Sequence, residues 1–480
     1  MSHLKGWTKA AVMAVGLAGL GAPGMAQDQT GDGQSGIKQY DDGGIYEGTF
    51  RDGLQHGEGT LRLPSGYEYT GSFIEGEIRG QGVARFPSGA VYEGSFVKGK
   101  PDGFGKITFA DGGTYEGDWK DGAINGVGLR IYANGVKYEG SFRDAQRHGQ
   151  GRMEAPSGYV YEGDWVGGKR EGQGRTTFPD GSVYEGAMIG GERAGRGTLI
   201  SPDGMKYDGT WEGGRMQGQG VLTQSNGDVY TGAFANGERT GTGRLVYANG
   251  DIYEGGFEAD RRHGEGRVIG ADGLDYQGSW VAGVMEGQGV VKYPDGSTYE
   301  GQFRGGLADG QGKIAYADGG TYEGGWVGGV IQGDGRASFA DGATYEGSFA
   351  NATFEGTGKL TYPDGYVQDG SWVAGQPEGE GKSTFADGSV FEGMFKAGQR
   401  HGRGKLTTPE GYAYDGEWLN GVKTGTGVET YANGDVYEGN FLDGKRHGQG
   451  SVQYANGTRA SGTWEEGILT EGTQEEAGSN

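Results

Sequence analysis

The pattern of apolar and polar positions in this chain repeats every 23 residues without interruption. With the leading aromatic set as position 0, units start at Tyr46, Tyr69, Tyr92 and Tyr115 and continue at equal intervals to Tyr437 and Ala460, nineteen starts in all. Tyr115-Glu116-Gly117-Asp118-Trp119 is typical: aromatic, polar, glycine, polar, aromatic. Alternation with period two predicts a β-strand with positions 0, 2 and 4 on one face and 1 and 3 on the other. A Gly-containing loop follows, then Gly-x-Gly at positions 11 and 13. A second strand carries apolar residues at positions 15 and 17, as in Ile107 and Phe109. Asp-Gly, Asn-Gly or Ser-Gly then stands at positions 19 and 20, for example Asp111-Gly112, Asn134-Gly135 and Ser65-Gly66. Such dipeptides favour positive φ and predict the tight turns that join antiparallel strands. The expected fold is therefore all-β, an elongated single-layer antiparallel sheet of stacked hairpins. One unit holds too few apolar residues to offset the entropy of ordering 23 residues, so its neighbours must cover it. At about 4.8 Å per strand the stack would run on the order of 180 Å.

This register changes what composition means. Glycine supplies 111 residues and AVILMFWYC only 33 %, a balance that without periodicity would suggest disorder. Most of those glycines occupy five fixed slots of the unit, and 28 Tyr, 18 Phe and 9 Trp fall largely on the aromatic ones. Ala145, Asp260 and Ala352 replace the position-7 glycine, Met188 the position-4 aromatic and Gln368 the leading tyrosine; altered loops are expected there.

Residues 1–26 stand apart, with Lys5 and Lys9, an apolar run from Ala10 to Leu20 and a small-residue exit ending at Ala26. They predict a secretory signal peptide, hence a periplasmic or secreted product, soluble after cleavage near Ala26. The expected organisation is a signal at 1–26, a polar linker at 27–36, the array at 37–470 and an acidic tail at 471–480. There is no cysteine, so the chain has no disulfide framework and no thiol nucleophile. The formal charge of −23 argues against nucleic acid and anionic lipid as principal partners.

Candidate chemistry is sparse. His56, His148, His263, His401 and His447 all occupy position 10, but the closest pair is two units, roughly 19 Å, apart, too far to share a metal. Acidic residues fill position 1 in fifteen units, and basic residues such as Lys106, Arg152, Arg175 and Arg244 recur at position 14. The expected result is a solvated, partly charge-balanced face, with weak calcium association as the runner-up. Neither a catalytic residue, a metal ligand set nor a cofactor is predicted.

The unit Y-E-G-x-[FW]-x-x-G-x-x-x-G-x-G-x-x-x-x-x-[DN]-G, complete in Tyr299-Glu300-Gly301-Gln302-Phe303 with Gly306, Gly310 and Gly312, resembles the MORN repeat over roughly residues 37 to 468. The resemblance implies stacked hairpins with an aromatic-lined groove. It also implies scaffolding, dimerisation and, by older proposals, phospholipid contact. No kinase or methyltransferase domain accompanies the repeats. If the aromatic strip is open, its best anchors for a protein or peptide partner are Trp119, Trp165, Trp211, Trp280, Trp326, Trp372 and Trp418. The leading expectation is a non-catalytic scaffold or adaptor outside the cytoplasm, with homodimerisation as an option. A membrane-surface module and a glycan-binding or cell-envelope hydrolase are the alternatives.

Overall fold

A computed structural model describes residues 33–475; the expected signal peptide lies outside them. The described residues form 39 strands and no helix. The described residues divide into two compact units, one ending at Thr240 and the other beginning at Gly241. In the first, strands pair antiparallel in chain order from Ser35–Gln39 and Ile45–Arg51 through Arg215–Thr223 and Val229–Ala235. In the second, pairing likewise runs in chain order to Arg459–Glu465 and Ile468–Glu475. Both are open antiparallel sheets of stacked hairpins, as expected. Pairing begins at Ser35 and ends at Glu475, so strand extends past both ends of the span 37–470.

Each 23-residue unit contributes a seven-residue strand at positions −1 to 5, such as Thr114–Lys120, and a nine-residue strand at positions 8 to 16, such as Ala123–Ile131. The turns fall differently from expectation. The two-residue turn is at positions 6 and 7, where Asp121 and Gly122 both have positive φ, 48° and 86°; this is the type I′ geometry that matches strand twist. At the Asn-Gly and Asp-Gly dipeptides only the glycine is left-handed, as at Gly135 (φ 81°). There Tyr132 N–H donates to the Val136 carbonyl and Gly135 N–H to the Tyr132 carbonyl, both at 2.8 Å. This is a three-residue loop ending in a left-handed glycine. The residue before that glycine uses its side chain instead, as when Asp111 Oδ1 accepts the Gly113 N–H at 2.9 Å. The dipeptide signal is the same for both loops, and sequence alone does not separate them.

The replaced glycines do not alter their loops either. Ala145, Asp260 and Ala352 keep φ of 59°, 65° and 61°, and Ala145 and Ala352 keep the turn hydrogen bond to the preceding unit, at 2.9 and 3.0 Å. The sheet pairing on both sides holds the turn, and the side chain accepts the strain.

Packing rests on a row of glycines crossing the sheet. Position 2 of each unit pairs with position 13, which pairs with position 2 of the next, as in Gly94, Gly105, Gly117 and Gly128. The position-0 ring lies on this row: a methyl at Gly128 would sit 2.5 Å from Tyr115 Cε2. Tyr115 is 0 % exposed. Between positions 2 and 4 the ladder slips at a bulge, and the position-3 carbonyl there accepts the tyrosine hydroxyl. The bond recurs in Tyr92 to Ser95 at 3.0 Å, Tyr115 to Asp118 at 2.9 Å and Tyr138 to Ser141 at 3.0 Å. The position-0 rings also meet edge-on the position-4 ring of their own unit, that of the next, or, as Tyr115 does with Trp119 at 5.7 Å and Phe142 at 5.2 Å, both; Tyr161 and Tyr184, which flank Met188, meet one each. Such contacts add about 0.5–1.5 kcal/mol each beyond burial.

Two departures are absorbed in place. Met188 fills the position-4 slot at 3 % exposure. Gln368 is buried where a tyrosine ring normally lies, and its Oε1 accepts from the buried Ser383 hydroxyl and, at 3.0 Å, from Tyr366 Oη. Ser383 stands at position 15, usually apolar, so the two polar replacements satisfy each other.

Candidate functional site

The seven candidate tryptophans, Trp119, Trp165, Trp211, Trp280, Trp326, Trp372 and Trp418, are all buried, from 2 % exposed at Trp165 to 8 % at Trp326. Each also spends its indole N–H on a position-13 carbonyl of the preceding unit: Trp119 on Gly105 at 3.2 Å, Trp165 on Gly151 at 3.0 Å, Trp418 on Gly404 at 3.0 Å. The aromatic strip is therefore not open at these tryptophans: their rings are core. A single sheet buries them because position 9 folds over the ring of the next unit. Arg147 lies 4.2 Å from the Trp165 ring centre, Arg193 4.1 Å from Trp211, Arg262 4.0 Å from Trp280 and Arg400 4.2 Å from Trp418. Phe354 does the same apolar service beside Trp372, at 5.4 Å.

The aromatic face thus presents position-9 cations and position-17 and position-21 rings, not indoles. The guanidiniums are anchored as well as stacked. Arg147, Arg170 and Arg193 donate to the carbonyls of Gly168, Gly191 and Gly214 at 3.0, 2.6 and 2.7 Å. Sequence reading missed this set because position 9 varies freely elsewhere; the available signal was arginine at that slot in three consecutive units.

Position 15 departs again near the C-terminal end. Glu429 replaces the usual apolar residue at position 15 and is buried. Lys423 Nζ and Tyr412 Oη each reach it at 2.6 Å, Arg446 Nε at 3.3 Å, and Tyr431 donates its hydroxyl. Burial pushes its carboxyl up, and hydrogen bonds from Lys423, Tyr412 and Tyr431 outweigh that to leave it below the ordinary carboxylate range. Both Glu429 oxygens accept from these four side chains, which is a structural network.

The reverse face carries the charge balance expected for it. In the second unit the strand register aligns Glu300, Lys313, Glu323, Arg336, Glu346, Lys359, Asp369, Lys382, Glu392, Lys405 and Asp415 in one row across the sheet, alternating in sign at every step. The pairs are solvent-exposed, for example Lys313 to Glu323 at 3.7 Å, and such pairs contribute at most about 1 kcal/mol. A shallow trough of ≈ 910 Å³ lies along this row between Glu323 and Asp369. The histidines stay apart at the bulge: His263 meets Glu258 at 3.4 Å, while His401 Nδ1 is buried without a hydrogen-bond partner. Among the described residues no group of three or more His, Cys, Asp or Glu is placed to hold a metal ion, and no helix is long and apolar enough to cross a membrane.

Solved structures with local likeness include the SAS-4 TCP domain of Drosophila melanogaster in complex with a proline-rich motif of Ana2. That match has 16 % identity, covers 37 % of this chain and 90 % of that one, and has a TM-score of 0.20. The TCP10 domain of Danio rerio CPAP in complex with a STIL peptide has 14 % identity, 56 % and 93 % coverage and a TM-score of 0.14. A streptogramin B lyase has 13 % identity, 61 % and 91 % coverage and a TM-score of 0.11. Scores this low carry no argument about this chain. No curated protein sequence matches it significantly. The MORN repeat profile matches eighteen times in tandem, from 46–66 to 437–459. That is one fewer than the nineteen starts counted from the sequence; the hairpin beginning at Ala460 is not among the matches. These matches span most of the sequence, and the chain belongs to the MORN repeat family.

Proposed function

We propose that the chain is a non-catalytic repeat scaffold that binds a protein partner outside the cytoplasm. The observation that carries this reading is the division of labour within the unit. Positions 0, 2, 4 and 13 form a near-invariant frame, while positions 3, 5, 8 and 12 vary on the surface at a fixed 23-residue interval and position 9 varies between buried residues such as Ile78 and half-buried arginines. A frame of this kind displays side chains periodically, as repeat proteins do when they bind extended partners. It offers nothing that resembles a convergent nucleophile and base. The signal-like residues 1–26 support export.

The test is affinity capture by the purified chain from a native cell-envelope extract, with the soluble cytoplasmic extract as control. Reproducible enrichment of one or a few envelope proteins is the expected result. Enrichment only from the cytoplasmic extract would contradict the location, and no enrichment from either would contradict the scaffold reading.

A further inference from the structure

The chain is strongly acidic, yet its aromatic face in the first unit carries a row of cations without counter-ions. Arg147, Arg170 and Arg193 occupy position 9 of three consecutive repeats. None has a carboxylate within ion-pair distance among the described residues, whereas the basic residues at position 14 on the reverse face do, as Arg152 with Glu162 at 3.9 Å and Arg175 with Glu185 at 3.6 Å. Glu171, beside Arg170 in sequence, turns away to accept the Gly190 N–H at 2.8 Å.

Arg147 and Arg193 stack on Trp165 and Trp211, while Arg170 lies 5.6 and 5.7 Å from the Tyr159 and Tyr161 ring centres; all three are half-buried and pinned to backbone carbonyls. Of the five N–H donors of a guanidinium, Arg193 has one engaged, on Gly214, and Arg147 and Arg170 two each, the second on Met153 Sδ and Tyr159 Oη, which leaves donors free on all three. Arg170 is held below its ordinary pKa first by burial and then by the charge of Arg147, so the row is electrostatically crowded as it stands. Arg130, 3.7 Å over the Phe109 ring, adds a fourth cation on the same face. Side chains fixed in advance lose little entropy when they bind.

We infer that Arg147, Arg170 and Arg193 form a docking row for an extended acidic peptide segment of the partner, taking one carboxylate per repeat. This rests on the scaffold reading above and names the chemistry of what is bound. The spacing supplies the match. Two strands per repeat place successive guanidiniums roughly 9.6 Å apart, and every third residue of an extended peptide advances about 10 Å. Each carboxylate then meets a planar fork suited to bidentate contact. A flat anionic bilayer fits less well: the site is a single line of charge on a chain whose net charge of −23 opposes approach to an anionic plane. The same net charge opposes a polyphosphate strand, while at physiological salt repulsion from charges beyond about 8 Å is screened for a short peptide.

The test uses fluorescence anisotropy with a labelled nine-residue serine peptide carrying glutamate at every third position. The comparison peptides carry three contiguous glutamates, or lysine in place of glutamate. Phosphatidylserine-containing vesicles and a single-stranded oligonucleotide complete the probes. The spaced glutamate peptide should bind best. The triple variant R147Q/R170Q/R193Q should weaken that binding about tenfold or more, with Lys replacements restoring part of it. R400Q, which removes a guanidinium from the same stacked position over Trp418 but outside the row, should leave binding unchanged and controls for structural damage.

Equal binding by the triple variant, equal binding of the contiguous or lysine peptide, or binding of vesicles or oligonucleotide in preference to the spaced peptide would overturn the inference. If the triple variant still captures the same envelope partner as the unmodified chain, the docking row fails and the scaffold reading stands. If the unmodified chain captures none, the scaffold reading fails.

Discussion

The Tyr115 hydroxyl donates to the Asp118 carbonyl at 2.9 Å, at the point where the ladder of the same hairpin slips between Gly117 and Trp119. The bond explains why tyrosine, and not another ring, dominates position 0. A bulge frees one carbonyl per unit on the buried face, and the phenol reaches it. Replacing Tyr115 by Phe should destabilise the chain by about 1–2 kcal/mol, the cost of leaving a buried acceptor unpaired. Urea denaturation should show this as a lower midpoint with an unchanged slope. Phe391, which occupies position 0 naturally, should tolerate replacement by Tyr.

The glycine row gives a second prediction. A methyl at Gly128 meets the Tyr115 ring at 2.5 Å, and a methyl at Gly99, in the turn, meets nothing within 4 Å. Gly128→Ala should therefore cost about 1–3 kcal/mol through overpacking, with loss of near-ultraviolet dichroism as the ring shifts. Gly99→Ala should cost only about 1 kcal/mol, from its left-handed backbone.

The turn at Ala145 and Ala352 carries strain that glycine removes. Both residues hold left-handed φ, 59° and 61°, which disfavours any side chain by roughly 1–2 kcal/mol, less what glycine loses through its freer unfolded chain. The double replacement Ala145→Gly, Ala352→Gly should raise the melting temperature. A fall would show that these alanines make contacts that outweigh the backbone cost.

Glu429 should behave as a member of a network. Glu429→Leu restores the apolar residue usual at position 15 but leaves Lys423 and Arg446 without their carboxylate, and should cost about 3–5 kcal/mol. Adding Lys423→Met, the residue found at the equivalent positions 216 and 285, should recover part of that loss. Because the folded-state pKa of Glu429 is depressed, its contribution is present above the ordinary carboxylate range and lost as pH falls through the folded value. The pH dependence of urea stability on the acid side should be shallower in the double variant.

At the alkaline end the sign reverses. Burial pushes Tyr46, Tyr138, Tyr161 and Tyr207 up to about 12 from an ordinary 10.0. A raised pKa favours the neutral phenol in the folded state. Stability is therefore fully present below pH 10 and falls as pH rises toward about 12. Tyrosinate absorbance should rise late and cooperatively, together with loss of β-sheet dichroism.

How much of this was legible in the sequence differs by feature. The strands and the shared face of positions 0, 2 and 4 follow from a period-two pattern inside an unbroken 23-residue register, whereas the pairing of position 2 with position 13 is visible only in the folded ladder. The loop geometry did not follow, because Asn-Gly and Asp-Gly serve both two-residue and three-residue loops, and which one forms depends on where the ladder closes. The fate of Trp165 was hidden for a different reason. Whether a single sheet leaves its rings open depends on where position 9 points after the bulge, and that is set by three long-strand residues facing one short-strand residue. With position 9 placed over the next ring, Arg147 became visible as a surface residue and Trp165 as core.

Burial of the aromatic ladder beneath the residues that cover it is read out by acrylamide quenching of tryptophan fluorescence in the chain beginning at Gln27. Emission should be blue-shifted, with a quenching constant several-fold below that of free N-acetyltryptophanamide. Quenching close to that of the free amide would show that the rings are open to solvent and would contradict the account.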